Sequence, residues 1–167
     1  MLLHNKKYQL GQTIIEGVVA LSAIVVVLTA ISIATITSLN NSQFIKNQSL
    51  ASKLAQQTME GFRYVRNNDP NTFFNVYASN NYCMNAAGNL SAPPCLADNY
   101  SGISGVSFVR EVKFTAASPY CSNGTQVEVK VSWTSGKCLN TTQDTRYCHK
   151  SQIVSCFANP SASGASL

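Results

Sequence analysis

Charge is scarce in this 167-residue chain: Asp, Glu, Lys and Arg make up 11% of it, and none lies between Glu16 and Lys46. That gap holds Gly17 to Ile36, a series of apolar and small hydroxylated residues. About 20 such residues cross a bilayer as a helix. The lysines and arginines are dispersed rather than clustered, which leaves a nucleic-acid partner unsupported. Histidine occurs only as His4 and His149, too little for a His-based acid–base or nucleophile relay. Asp69, Asp98, Glu111, Glu128 and Asp144 are scattered, and no calcium-loop spacing joins them. Cysteine is absent before Cys83, and no pair has the C-x-x-C spacing that zinc sites favour. Cys148-His149 is the one Cys–His neighbour pair, and adjacent residues rarely both reach one ion. No catalytic constellation stands out, and the cysteine spacing favours disulfides over zinc. The expectation is a non-enzyme with no cofactor and no metal.

What is present begins at the N-terminus. Met1 to Gly11 is short and polar, and it carries Lys6 and Lys7 ahead of the apolar run. Basic residues there keep the N-terminus cytoplasmic, so the residues beyond the run lie across the inner membrane. A secretory signal peptide starts similarly but has a small-residue cleavage site after its apolar core; Ala34 and Ser38 do not form one. Glu16 stands at the head of the run. A carboxylate inside a span costs roughly 2.5–3.5 kcal/mol and is a functional-site candidate. The plain alternative is a carboxylate at headgroup level that snorkels.

The hexapeptide Gly11-Gln12-Thr13-Ile14-Ile15-Glu16 resembles the cleavage and methylation motif of type IV prepilins and type II secretion pseudopilins. The resemblance implies that a prepilin peptidase cuts between Gly11 and Gln12 and N-methylates Gln12. It also implies that Glu16 is the assembly carboxylate, paired with the freed ammonium of Gln12 on a neighbouring subunit. Such a pair is strongest in a low-dielectric surrounding. The family usually has Phe where this chain has Gln12, and a Gln there can instead cyclise and lose its amine. Ala51, Leu54, Ala55, Glu60 and Arg63 follow the A-x-x-L-A-x-x-x-x-E-x-x-R stretch frequent in minor pilins and minor pseudopilins. Many major pilins carry a proline where this chain has Ile33. The implied partners are the prepilin peptidase, other pilin or pseudopilin subunits and an inner-membrane assembly platform. The implied location is a single-pass inner-membrane protein with a periplasmic or extracellular head, and then the pilus or pseudopilus.

Proline is absent from Gln12 to Asn67, where Gly17 and Gly61 are the only glycines. After Leu39 the pattern turns amphipathic: Phe44, Ala51, Leu54, Ala55, Thr58, Phe62 and Val65 recur at helical spacing. One helix of about 55 residues, near 80 Å at 1.5 Å per residue, is the simplest reading. Asn67-Asn68-Asp69-Pro70 ends it. Beyond it Gln126 to Trp133 alternates strictly, with Val127, Val129, Val131 and Trp133 on one face. Val106 to Phe114 reads as a second strand with Arg110 as an exception on its apolar face, and Ser151 to Phe157 as a third. Ser-Pro, Ser-Gly and Asn-Gly pairs, Asn123-Gly124 among them, read as turns. Three or four antiparallel strands covered by the amphipathic half of the helix make an α+β fold, pilin-like in architecture with a disulfide-stapled head. The aromatics after the helix, Phe73, Phe74, Tyr77 and Tyr82 among them, read as core rather than as a binding face.

Cys83, Cys95, Cys121, Cys138, Cys148 and Cys156 read as a disulfide framework in an oxidising compartment. If the strands around Val129 and Ile153 are antiparallel neighbours, Cys121 meets Cys156 at one end and Cys138 meets Cys148 at the other. Cys83 is then left for Cys95, one of the 15 connectivities that six cysteines allow. The chain divides into a leader (1–11), the hydrophobic half of the helix (12–38), its amphipathic half (39–69), a head (70–158) and a tail (159–167). The expected function is that of a minor pilin or pseudopilin in a type IV pilus or secretion pseudopilus. The alternatives are a tip-located adhesion or DNA-uptake subunit, a major pilin, and an unprocessed single-span anchored domain.

Overall fold

The computed structural model describes residues 9–77, 80–95, 106–134, 138 and 147–159, with side chains from Ile14 onward. Lys6 and Lys7 of the leader and the tail from Pro160 lie outside these residues. The fold is α+β. Helix α1 (Gln9–Asn68) precedes a five-stranded antiparallel sheet of β1 (Asn81–Met84), β2 (Leu90–Ser91), β3 (Phe108–Ser118), β4 (Cys121–Trp133) and β5 (His149–Ala158). The strand order is β2-β1-β3-β4-β5. The chain forms two compact units, Met1–Gln43 and Phe44–Leu167. Hydropathy alone puts the change of character at residue 38/39.

Within the second unit the helix buries one stripe. Asn47, Ala51, Ala55, Thr58, Met59 and Phe62 are all at least nine-tenths buried, at the three- and four-residue spacing of a single helix face. Ala51 and Ala55 are small enough to let the backbone approach the sheet. Opposite them stand Phe108, Val112 and Phe114 of β3, Val127, Val129, Val131 and Trp133 of β4, and Phe157 of β5. Each fully buried Val or Phe contributes on the order of 1.5–3 kcal/mol. Arg110, the exception on this face, is buried with the rest. Its Nη1 lies 3.5 Å from Thr58 Oγ1, and its Nη2 donates to the Asn85 carbonyl. The guanidinium thereby joins helix, β3 and the turn after β1. The outer face carries a small buried cluster of Cys83 and Val109 with Cys95 and Tyr147 against it, and beside it the cross-strand partners Glu111 and Lys130 form an ion pair.

The chain does not become a loop where α1 stops. Asp69 bridges the break: its Oδ1 accepts from the Thr72 N–H at 3.0 Å and its carbonyl from the Phe73 N–H at 3.1 Å. Pro70 follows at a position where a helix start needs no N–H. A turn of π-helix results (Thr72–Val76) and places Phe73 wholly inside the core. The Thr72 side-chain and backbone hydrogen bonds hold the Asp69 carboxyl below its ordinary 3.8.

The sheet has more strands, and longer ones, than the alternation pattern predicts. β1 and β2 are additional, because four- and two-residue strands carry no periodicity of their own. β3, β4 and β5 extend past the expected segments because pairing continues after the apolar alternation ends. Asn123-Gly124, expected as a turn, lies inside β4. The hairpin turns instead at Pro119-Tyr120, immediately before Cys121. Ala116 pairs with Thr125 but Ser118 with Cys121, so β4 bulges between them, and Ala117 takes φ 51° at the slip. Gly124 sits on that bulge and pairs with Ala158 of β5. The tertiary pairing overrides the local turn preference.

Three disulfides staple the head: Cys83–Cys95, Cys121–Cys156 and Cys138–Cys148. They follow the pairing expected from the strand arrangement, and Val129 does lie opposite Ile153.

Candidate functional site

The first unit carries the residues that the hexapeptide singles out. Gly11 and Gln12 lie in the opening turn of α1 and Glu16 follows one turn later, so positions 12 and 16 share a helix face. From Glu16 to Lys46 the helix has no other charge. Every large apolar side chain from Ile14 to Leu39 is at least 55% exposed within the chain. A continuous apolar surface of this extent marks a membrane or protein contact. The helix is long and apolar enough to cross a membrane.

The hydroxyls in this segment do not oppose such a surrounding. Ser22 Oγ donates to the Val19 carbonyl at 2.8 Å, Thr29 Oγ1 to that of Val26 at 2.8 Å, and Ser32 Oγ to that of Leu28 at 2.8 Å. Thr35 and Thr37 bond back to Ser32 and Ile33 at 2.9 Å each. Each of these five O–H groups is satisfied by its own helix, so burial in an apolar medium leaves none of the five bare. Glu16 differs. Its side chain is exposed, and the ion pairs among the described residues, Arg63–Glu60 and Lys130–Glu111, do not include it. Among the described side chains of α1 none is paired with this carboxylate.

A second constellation lies in the head, where β4 ends and β5 begins. His149 is paired in the ladder with Trp133. Its ring lies 5.5 Å from that of Trp133 and 5.0 Å, edge-on, from that of Phe44. Trp133 is buried, and its Nε1–H finds no acceptor among the described residues. The Sγ atoms of Cys138 and Cys148 and a ring nitrogen of His149 all lie within 4.8 Å of one another. Adjacent residues rarely both reach one ion, yet here the donor atoms of Cys148 and His149 lie that close while Cys148 is held in its disulfide to Cys138. Cys148 stands just before β5, next to the first strand residue His149. The only trace in the sequence is the Cys–His adjacency.

No protein-family model, curated protein or solved structure matches this chain.

Proposed function

We propose that the chain is a pilin-like structural subunit, cut between Gly11 and Gln12 by a prepilin peptidase and assembled through its helix as a minor component of a type IV pilus or type II secretion pseudopilus. The observation that carries this reading is a helix uncovered from Ile14 to Leu39 whose one charge in that stretch is Glu16. Lipid covers such a helix before assembly, and neighbouring helices cover it afterwards. Lipid tails are as apolar as leucine, so the exchange is close to neutral for the apolar side chains.

Glu16 is then the group that decides the geometry. An unpaired carboxylate in an apolar medium costs several kcal/mol. The ammonium that cleavage creates on Gln12 of a neighbour offsets that cost at one axial offset between helices. Lys6 and Lys7 keep the leader on the cytoplasmic side, where the peptidase and the assembly platform act. The three disulfides suit a head that sits in an oxidising compartment.

The test is made in cells that carry the peptidase. The mature chain is expected to lack Met1–Gly11 by mass, with a methylated or cyclised Gln12. Glu16→Ala is expected to be cut normally yet to be missing from sheared fibres. An uncut chain in those cells, or fibres that contain the Glu16→Ala protein at the usual level, overturns the reading.

A further inference from the structure

The Cys138–Cys148 bridge differs from the other two in exposure. Cys83 is 0% exposed and Cys121 3% exposed, so each of those bridges has one end inside the fold. Cys138 is half-buried and Cys148 is exposed. Thiol–disulfide exchange requires access of a thiolate to sulfur, and this bridge has neither end in the core, whereas the other two are open only at Cys95 and Cys156. Its opening also leaves the sheet intact, since Cys121–Cys156 and the whole β4–β5 ladder are independent of it.

Beside the two sulfurs stands an imidazole held in place. Phe44 and Trp133 both pack against the His149 ring, the three ring centroids forming a triangle with sides of 5.0, 5.5 and 6.2 Å, and these contacts limit its movement. A tetrahedral zinc ion with sulfur at about 2.3 Å and nitrogen at about 2.0 Å places its donor atoms roughly 3.5–3.8 Å apart. The three donors here already lie within 4.8 Å. The two sulfurs are bonded to each other here, so parting them by about 2 Å on loss of the S–S bond sets their spacing, and the His149 nitrogen has to close only from within 4.8 Å. Two thiolates and one imidazole are a donor set that suits zinc.

We propose that Cys138, Cys148 and His149 form a Zn(II) site when the Cys138–Cys148 bridge is reduced. A dithiol reductant supplies two electrons and two protons. The S–S bond breaks, Cys138 and Cys148 become thiols, and the dithiol leaves as its own disulfide. Each thiol then loses its proton to water as its sulfur binds the metal. His149 binds through the ring nitrogen that lies within 4.8 Å of the sulfurs. The metal closes the same connection that the disulfide closes, so the head keeps this staple in both redox states.

The experiment uses the full chain in detergent micelles under anaerobic, mildly reducing conditions. Alkylation and mass spectrometry are expected to find Cys138 and Cys148 labelled while the other two bridges remain closed. Titration with Co(II), then displacement by Zn(II), is expected to show one ion per reduced chain with a sulfur-to-cobalt charge-transfer band, and none in the oxidised chain. His149→Phe keeps a ring against Phe44 and Trp133 but removes the nitrogen. It is expected to weaken binding by at least about tenfold, the loss that even outer-shell changes produce. Reduction of another bridge first, absence of the one-to-one cobalt complex, or equal affinity in His149→Phe overturns the proposal.

Discussion

Gly124 of β4 runs so close to β5 that a Cβ on it would overlap the carbonyl oxygen of Phe157. The neighbouring atoms are backbone, which cannot swing aside as a side chain can. Gly124→Ala must therefore push the β4 bulge away from β5, and overpacking of this kind costs about 1–3 kcal/mol. Urea unfolding of the solubilised chain is expected to show a lower midpoint with an unchanged slope.

Asp69 supplies a prediction about pH. Its carboxylate is stabilised by Thr72 in the folded chain, so its pKa there lies below the ordinary 3.8. A depressed carboxyl pKa contributes stability that is complete above the unfolded value and disappears as pH falls through the folded one. Asp69→Ala is expected to melt below the wild type at neutral pH. The gap should narrow as pH drops through and below 3.8. A gap of constant size across that range contradicts the role given to the carboxylate.

Phe62 meets Phe114 edge-on at 5.1 Å and Tyr77 at 6.2 Å, at the centre of the helix–sheet contact. Phe62→Ala leaves a cavity there and is expected to cost about 3–5 kcal/mol. Tyr64 is two residues away on the same helix but 70% exposed. Tyr64→Ala is expected to stay within about 0.5 kcal/mol of the wild type. Equal losses in the two variants, by chemical denaturation, contradict this assignment of the buried face.

The disulfides should rank by the chain they enclose. Cys121–Cys156 spans a separation of 35 residues, against 10 for Cys138–Cys148. The loop-entropy relation gives about 4 kcal/mol for the first and about 3 kcal/mol for the second. The Cys121→Ser/Cys156→Ser double variant is thus expected to be the less stable of the two by about 1 kcal/mol. Paired unfolding curves decide the order.

The parts of the fold legible in the chain are those that repeat. Val127, Val129, Val131 and Trp133 alternate in sequence and are all buried, and this pattern shows which face of β4 is inside. The helix is legible from Gln12 to Asn67 because apolarity and the lack of proline persist over its whole length. β1 is not legible: Asn81 to Met84 is a strand because Tyr82 and Met84 find Val112 and Arg110 across the ladder. Asp69 reads as part of a stop signal, and its bonds to Thr72 and Phe73 turn that stop into a second helical turn. Met59 and Asn47 fall outside the apolar repeat yet are buried, because the sheet's footprint on the helix is wider than that repeat.

By itself the sequence determined a helix apolar enough for a membrane, the lone Glu16 at its head, and the inward faces of β3 and β4. These follow from residue type and periodicity, which act between near neighbours along the chain. Only the tertiary structure decided that Asn123-Gly124 is a bulge rather than a turn, that Arg110 is buried, and that Cys138, Cys148 and His149 converge. Each of these depends on the register between strands or on the docking of the helix. Register joins residues far apart in sequence, and a Gly that favours a tight turn locally serves instead as the one residue without a Cβ where two backbones nearly touch.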